Sequence, residues 1–234
     1  MSAVRPSILV WSVLAVAGCS KPPAGDLFPL EAGHHWTYDV MTETENHVVS
    51  HEAQVMRSLG RDDLDGRSAW HRRSDSGVDY WLRSDQTGIY RVASKSDLDP
   101  EPRPDKPTRY VLKLPLAVGS SWQATTTAYL LLRRQEFPPE IRYTHPAVPM
   151  NYQIEATEQT VTTRAGRFEH CLTVRGTAQL RLYADAVVGW KDMPLTTREW
   201  YCPGVGLARL ERSEPAESTF ISGGTLTMEL IEWE

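Results

Sequence analysis

Pro29-Leu30-Glu31-Ala32-Gly33-His34-His35-Trp36 and Pro115-Leu116-Ala117-Val118-Gly119-Ser120-Ser121-Trp122 share the pattern P-L-x-x-G-x-x-W, 86 residues apart. Trp is 8 of 234 residues, so a match at that position alone is about a 3% event, and Pro, Leu and Gly match with it. Each Trp opens an alternation of side chains, Trp36/Tyr38/Val40 in one copy and Trp122/Ala124/Thr126 in the other. A period of two is the signature of a strand. The pair therefore reads as the opening strand of a duplicated β unit.

Two further correspondences follow in the same order. Asp65-Gly66-Arg67-Ser68-Ala69-Trp70 lines up with Ala165-Gly166-Arg167-Phe168-Glu169-His170, a Gly-Arg turn that opens a strand. Tyr80-Trp81 with Gly88-Ile89 lines up with Glu199-Trp200 with Gly206-Leu207. The body thus divides into a first β-meander unit over 27–94, a Pro-rich charged linker over 95–108, and a second unit over 109–234. Strands are expected near 35–42, 47–58, 67–74, 78–84 and 88–94 in the first unit. In the second they fall near 109–114, 121–132, 151–163, 167–175, 177–183, 195–202, 206–212 and 225–233. Asp- and Gly-rich turns separate the early ones. Pro138–Pro149 and Ala184–Pro194 read as insertions, and no convincing helix follows Cys19.

The first eighteen residues read as a lipoprotein signal peptide. Arg5 supplies the positive charge, and Ile8 to Val16 form an apolar run of nine residues. At ~1.5 Å per residue such a run cannot cross a ~30 Å hydrocarbon core. Val16-Ala17-Gly18-Cys19 resembles the lipobox of bacterial lipoproteins. That resemblance implies cleavage before Cys19 and a diacylglycerol thioether on its sulfur, with a further acyl group (palmitate or similar) on the new amine. Two or more chains, each CH₂ contributing ~0.8 kcal/mol, hold stably where one does not. The alternative is an ordinary signal peptide with a coincidental Cys. Ser20, with no Asp at that second mature position, resembles lipoproteins sorted to the outer membrane. Residues 19–26 then form a lipidated tether, and the expected location is the cell envelope.

The blocks Phe28–Tyr38, Ala165–Val174 and Glu199–Leu207 are similar to recurring segments of the TapB-like secreted proteins and lipoproteins. The resemblance implies an all-β domain outside the cytoplasm: a curved antiparallel sheet or half-barrel, here built from two tandem β-meander repeats. It implies no catalytic residues.

Composition narrows the function. The formal net charge is −5 with no basic block, which argues against a nucleic-acid partner. With Cys19 lipidated, Cys171 and Cys202 remain as the only thiols in an oxidising compartment. A bond between them would contribute on the order of 3 kcal/mol. The alternative is two buried free thiols, if strand geometry keeps their Cα atoms apart. His34, His35, His47 and His51 suggest a metal, yet in a strand His47 and His51 would lie ~13 Å apart, so no metal or other cofactor is expected. Asp62-Asp63-Leu64-Asp65-Gly66 lacks the ligand spacing of a calcium loop and reads as a hairpin turn. No nucleophile elbow, P-loop or zinc-helix motif is present. Carboxylate pairs such as Glu155/Glu158 and Glu211/Glu214 read as surface charge.

Trp36, Trp81, Trp122 and Trp200, at repeat positions, are expected as core anchors, with an acyl- or sugar-binding groove as the alternative. Trp190 is expected to be exposed. The reading that follows is a non-enzymatic envelope lipoprotein, held to a membrane by its lipid anchor, whose curved sheet binds a lipid or an envelope protein. The alternatives are a structural or adhesive surface protein contacting protein or glycan through its loops, and an unrecognised hydrolase.

Overall fold

The strand period seen around Trp36 and Trp122 runs through nearly the whole chain. The computed structural model describes residues 27–134 and 145–234. The leader, Cys19, the 19–26 tether and residues 138–144 of the first insertion lie outside the described residues. Fourteen strands form. The first six are β1 (His35–Thr44), β2 (Val49–Leu64), β3 (Arg67–Ser74), β4 (Val78–Asp85), β5 (Gly88–Ser96) and β6 (Arg103–Lys113). The next four are β7 (Ser121–Ala128), β8 (Leu132–Arg133), β9 (His145–Thr163) and β10 (Gly166–Asp185). The last are β11 (Gly189–Cys202), β12 (Gly206–Glu214), β13 (Ile221–Ser222) and β14 (Gly224–Trp233). No α-helix occurs among the described residues.

Twelve strands make one antiparallel sheet in the order β6-β5-β4-β3-β2-β1-β14-β12-β11-β10-β9-β7. β8 and β13 form a small ribbon of their own. The order is that of two six-stranded meanders, β1 to β6 and then β7, β9, β10, β11, β12, β14, joined where β1 pairs with β14. At the other margin β6 and β7 touch without a ladder, so the sheet curves into a nearly closed barrel. Each sequence correspondence falls on equivalent elements: Trp36 in β1 and Trp122 in β7, Gly66 just before β3 and Gly166 at the first position of β10, Trp81 in β4 and Trp200 in β11. Both turn glycines have positive φ, +72° and +144°, backbone that a Cβ disfavours.

β6 is the sixth strand of the first meander and begins at Arg103, inside the stretch that the sequence presents as a linker. Its Pro104 and Pro107 cannot donate to a ladder, which is tolerated on a margin strand. The Ala184–Pro194 insertion is built into the ends of β10 and β11, which pair to Asp185↔Gly189. The 167–175 and 177–183 strands likewise merge into one long β10.

Three devices hold the barrel. Trp36 Nε1 donates to Val205 O at 2.6 Å and Tyr38 Oη to Leu207 O at 2.9 Å, tying β1 to the start of β12 across the intervening β14. Cys171 and Cys202, on adjacent strands β10 and β11 with Cα atoms 4.2 Å apart, form a disulfide. Glu214, with no exposed surface, accepts from Arg212 Nε at 2.5 Å and from the backbone N–H groups of Tyr129 and Leu130. Arg212 in turn donates to Thr126 and Thr127, fixing the chain that leaves β7.

Candidate binding cavity

A sheet of twelve strands curled on itself has a wider interior than the roughly eight strands whose side chains just fill it. The second half answers this with bulk. Met150, Ile154, Val174, Met193 and Leu195 are wholly buried and belong to the main apolar cluster. The first half does not fill its share, and a cavity of about 360 Å³ remains. This is at the low end of the ~300–1,000 Å³ typical of small-molecule sites.

Both halves contribute to the wall. Apolar surface comes from Phe28 ahead of β1, Met56 in β2, Leu82 in β4, Val111 in β6, Leu207 in β12 and Met228 in β14. The polar wall is arginine and tyrosine: Arg72, Tyr80, Arg91, Arg109 and Tyr110 from the first half, Tyr152, Glu199 and Tyr201 from the second.

The three arginines differ in how they are compensated. Arg91 forms a bidentate pair with Asp105, at 2.6 and 2.8 Å. Arg72, only 8% exposed, is stacked between the rings of Phe28 (3.9 Å) and Trp36 (4.4 Å) and donates to Pro29 O. It has no carboxylate partner among the described residues, and its buried Nε has no hydrogen-bond partner. Burial lowers its pKa to about 10, so it remains a cation at neutral pH. Arg109 forms no ion pair among the described residues, and its charge acts on Tyr152, Glu199 and Tyr201. Loss of water inside the wall raises the Glu199 pKa above the usual carboxylate range, opposed by the Tyr201 hydroxyl, which donates to it at 2.5 Å, and by Arg109 and Arg212. Burial also raises Tyr80, Tyr152 and Tyr201.

An open groove of about 470 Å³ lies on the opposite face of β11, β12 and β14, where Arg198 pairs with Glu155 at 3.0 and 3.2 Å. Its walls are threonine, serine and neutralised charge.

The structure disperses most of the residues that drew attention in the sequence. His47 sits at the β1–β2 turn, His51 faces Asp39 at 3.4 Å, and His35 faces Glu234 at 3.7 Å. No grouping of three or more potential metal ligands occurs among the described residues. Asp63 accepts from Gly66 N at 2.9 Å within a hairpin turn, and Asp62 accepts from Trp81 Nε1 at 2.9 Å. Glu158 faces His170 and Glu211 faces Arg209, so the imagined carboxylate pairs are separate ion pairs. Trp36, Trp81 and Trp122 are buried, Trp200 is half-buried against Arg209, and Trp190 is 62% exposed beside Tyr183. The cavity arginines, Glu199 and Tyr201 escaped the sequence reading. Their trace is a charge at an inward phase of a strand, such as Arg72 between Trp70 and Ser74.

No family model matches the chain and no curated protein matches it, so the likeness to the TapB-like proteins rests on the quoted blocks. Two solved structures are similar to this chain. A candidate lipoprotein from Parabacteroides distasonis is 12% identical with a TM-score of 0.48, over 89% of this chain and 98% of that one. A candidate exported protein with a YmcC-like fold from Bacteroides fragilis is 15% identical with a TM-score of 0.49, over 88% of this chain and 98% of that one.

Proposed function

We propose that this chain is a non-enzymatic lipoprotein of the cell envelope, anchored through Cys19 to the outer membrane, whose barrel interior holds a lipid acyl chain. The observation that carries the reading is the cavity between the halves, with its apolar wall of Phe28, Met56, Leu82, Leu207 and Met228. Burying one CH₂ there contributes about 0.8 kcal/mol, so a chain of modest length binds with useful affinity. Phe28 lies on the cavity wall nine residues after Cys19. A tether of that length reaches at most roughly 30 Å, which keeps the site near the membrane surface.

Native mass spectrometry of the chain extracted from membranes tests both parts. The expected spectrum carries a covalent diacylglyceryl mass on the mature chain, absent in Cys19→Ser, and a co-purifying lipid released by mild activation. A protein that emerges without any bound lipid, and takes up none from an envelope lipid extract, contradicts the ligand reading.

A second reading is favoured by the tip of the β10–β11 hairpin, where Tyr183 and Trp190 are 45% and 62% exposed and meet edge to face at 5.8 Å. There the protein would dock an envelope partner or a glycan. Crosslinking from Trp190 in intact cells that captured a neighbour would support it.

A further inference from the structure

If the barrel holds a lipid, the charges on its wall say which kind. Arg91 is neutralised by Asp105, and Glu199 is engaged by the Tyr201 hydroxyl. That leaves Arg72 and Arg109, two guanidinium groups on the same wall with no carboxylate partner among the described residues. Arg72 is more than nine-tenths buried, and one of its N–H groups is left without an acceptor. That Nε is enclosed by protein, so an anion in the cavity would act on the uncompensated charge of Arg72, whose burial is costly without a counter-ion. The two arginines line the same cavity from different strands, β3 and β6, so an acidic group held there would meet both charges. Arginine suits this role, because its planar fork matches the oxygens of a carboxylate or a phosphate.

We infer that the cavity takes a single-chain amphiphile with an acidic head, a carboxylate or a phosphate monoester, seated with its head toward Arg109 and Arg72 and its chain along Met56, Leu82, Leu207 and Met228. This inference rests on the lipid-binding reading above. The polarity follows from the wall: the arginines and tyrosines supply donors for the head, while the leucines and methionines supply none. The volume, about 360 Å³, suits one chain rather than a diacyl lipid. Glu199 fits the same picture. With its pKa raised by burial, it opposes an incoming anion less than an ordinary carboxylate would.

The test is titration calorimetry on the full chain in amphipol with three probes of equal length: dodecanoic acid, dodecyl phosphate and dodecan-1-ol. At least one acid should bind about tenfold more tightly than the alcohol, the scale of one charge-assisted hydrogen bond. Which acid leads tells carboxylate from phosphate. Arg109→Leu should erase the preference for acid over alcohol, read as the ratio of the two affinities in the same variant. Arg72→Lys, which keeps the charge but loses the stacked fork, should weaken acid binding with a smaller change for the alcohol. Equal affinity for acid and alcohol, unmoved by Arg109→Leu, overturns the inference and leaves the lipid reading standing. No binding of any probe removes both.

Discussion

The two halves of the barrel repeat one topology and diverge in what they put inside it. Across the β3–β4 ladder Arg72 faces Tyr80, and across the β10–β11 ladder the equivalent rung holds Val174 and Glu199. Two rungs on, Trp70 faces Leu82 in the first half, and Leu172 faces Tyr201 in the second. Around Val174 the lumen is packed with Met150, Ile154, Met193 and Leu195; around Arg72 it is hollow. The disulfide and the Arg212–Glu214 pair also belong to the second half alone. The difference shows that a duplicated scaffold need not be filled evenly: the second half packs its share of the lumen, while the first contributes most of the arginine and tyrosine around a cavity that both halves line.

Substitutions that exchange the two chemistries should break this contrast most severely. Val174→Arg, which transplants the charge of the first half into the filled second half, should cost more than ~4–5 kcal/mol and leave no cooperative urea transition. Glu214→Gln strands the buried Arg212 guanidinium, and should lower unfolding free energy by about 3–5 kcal/mol in the same assay. A paired truncation sharpens the comparison further. Leu195→Ala, in close-packed surroundings, should cost about 2–5 kcal/mol, whereas Val111→Ala, which only enlarges existing space, should cost about 1 kcal/mol or less. Equal losses at the two sites would mean that the cavity is not a standing feature of the fold.

The smallest effect concerns pH. The folded state holds Glu199 above its ordinary value of 4.5, so the folded protein binds this proton more tightly than the unfolded chain does. Stability from this group is therefore present below the unfolded pKa and declines as pH rises through the folded one. Glu199→Gln, which can still accept from Tyr201, should raise the melting temperature near pH 8 and converge with the parent protein at pH 4. A constant offset across that range would assign the effect to packing rather than to ionisation.

Much of the architecture was legible before any coordinates. The five strands expected over 35–94 match β1 to β5, with β2 running six residues further, because the strands alternate side chains and Asp or Gly marks the turns after β2, β3, β4 and β5. β6 was not legible, because Arg103-Pro104-Asp105-Lys106-Pro107 has the composition of a linker. It becomes a strand only because β5 offers a partner and Arg91 a counter-charge for Asp105, while no strand needs its donors on the far side. The β8–β13 ribbon, two residues a side, is too short to leave a period. The cavity was least visible. Arg72 stands in the run His71-Arg72-Arg73, where composition suggests a solvated strand.

By itself the sequence determined the strand period and the duplicated order of turns, both of which depend on neighbours along the chain. Only the tertiary structure decided which face of each strand looks into the lumen and which charges meet there. The pleat assigns alternate residues to two faces but does not say which face closes inward. Whether a guanidinium is compensated depends on groups such as Glu199 and Tyr201, ninety or more residues away from Arg109 and Arg72, because desolvation and Coulomb energy are set by what lies nearby in space.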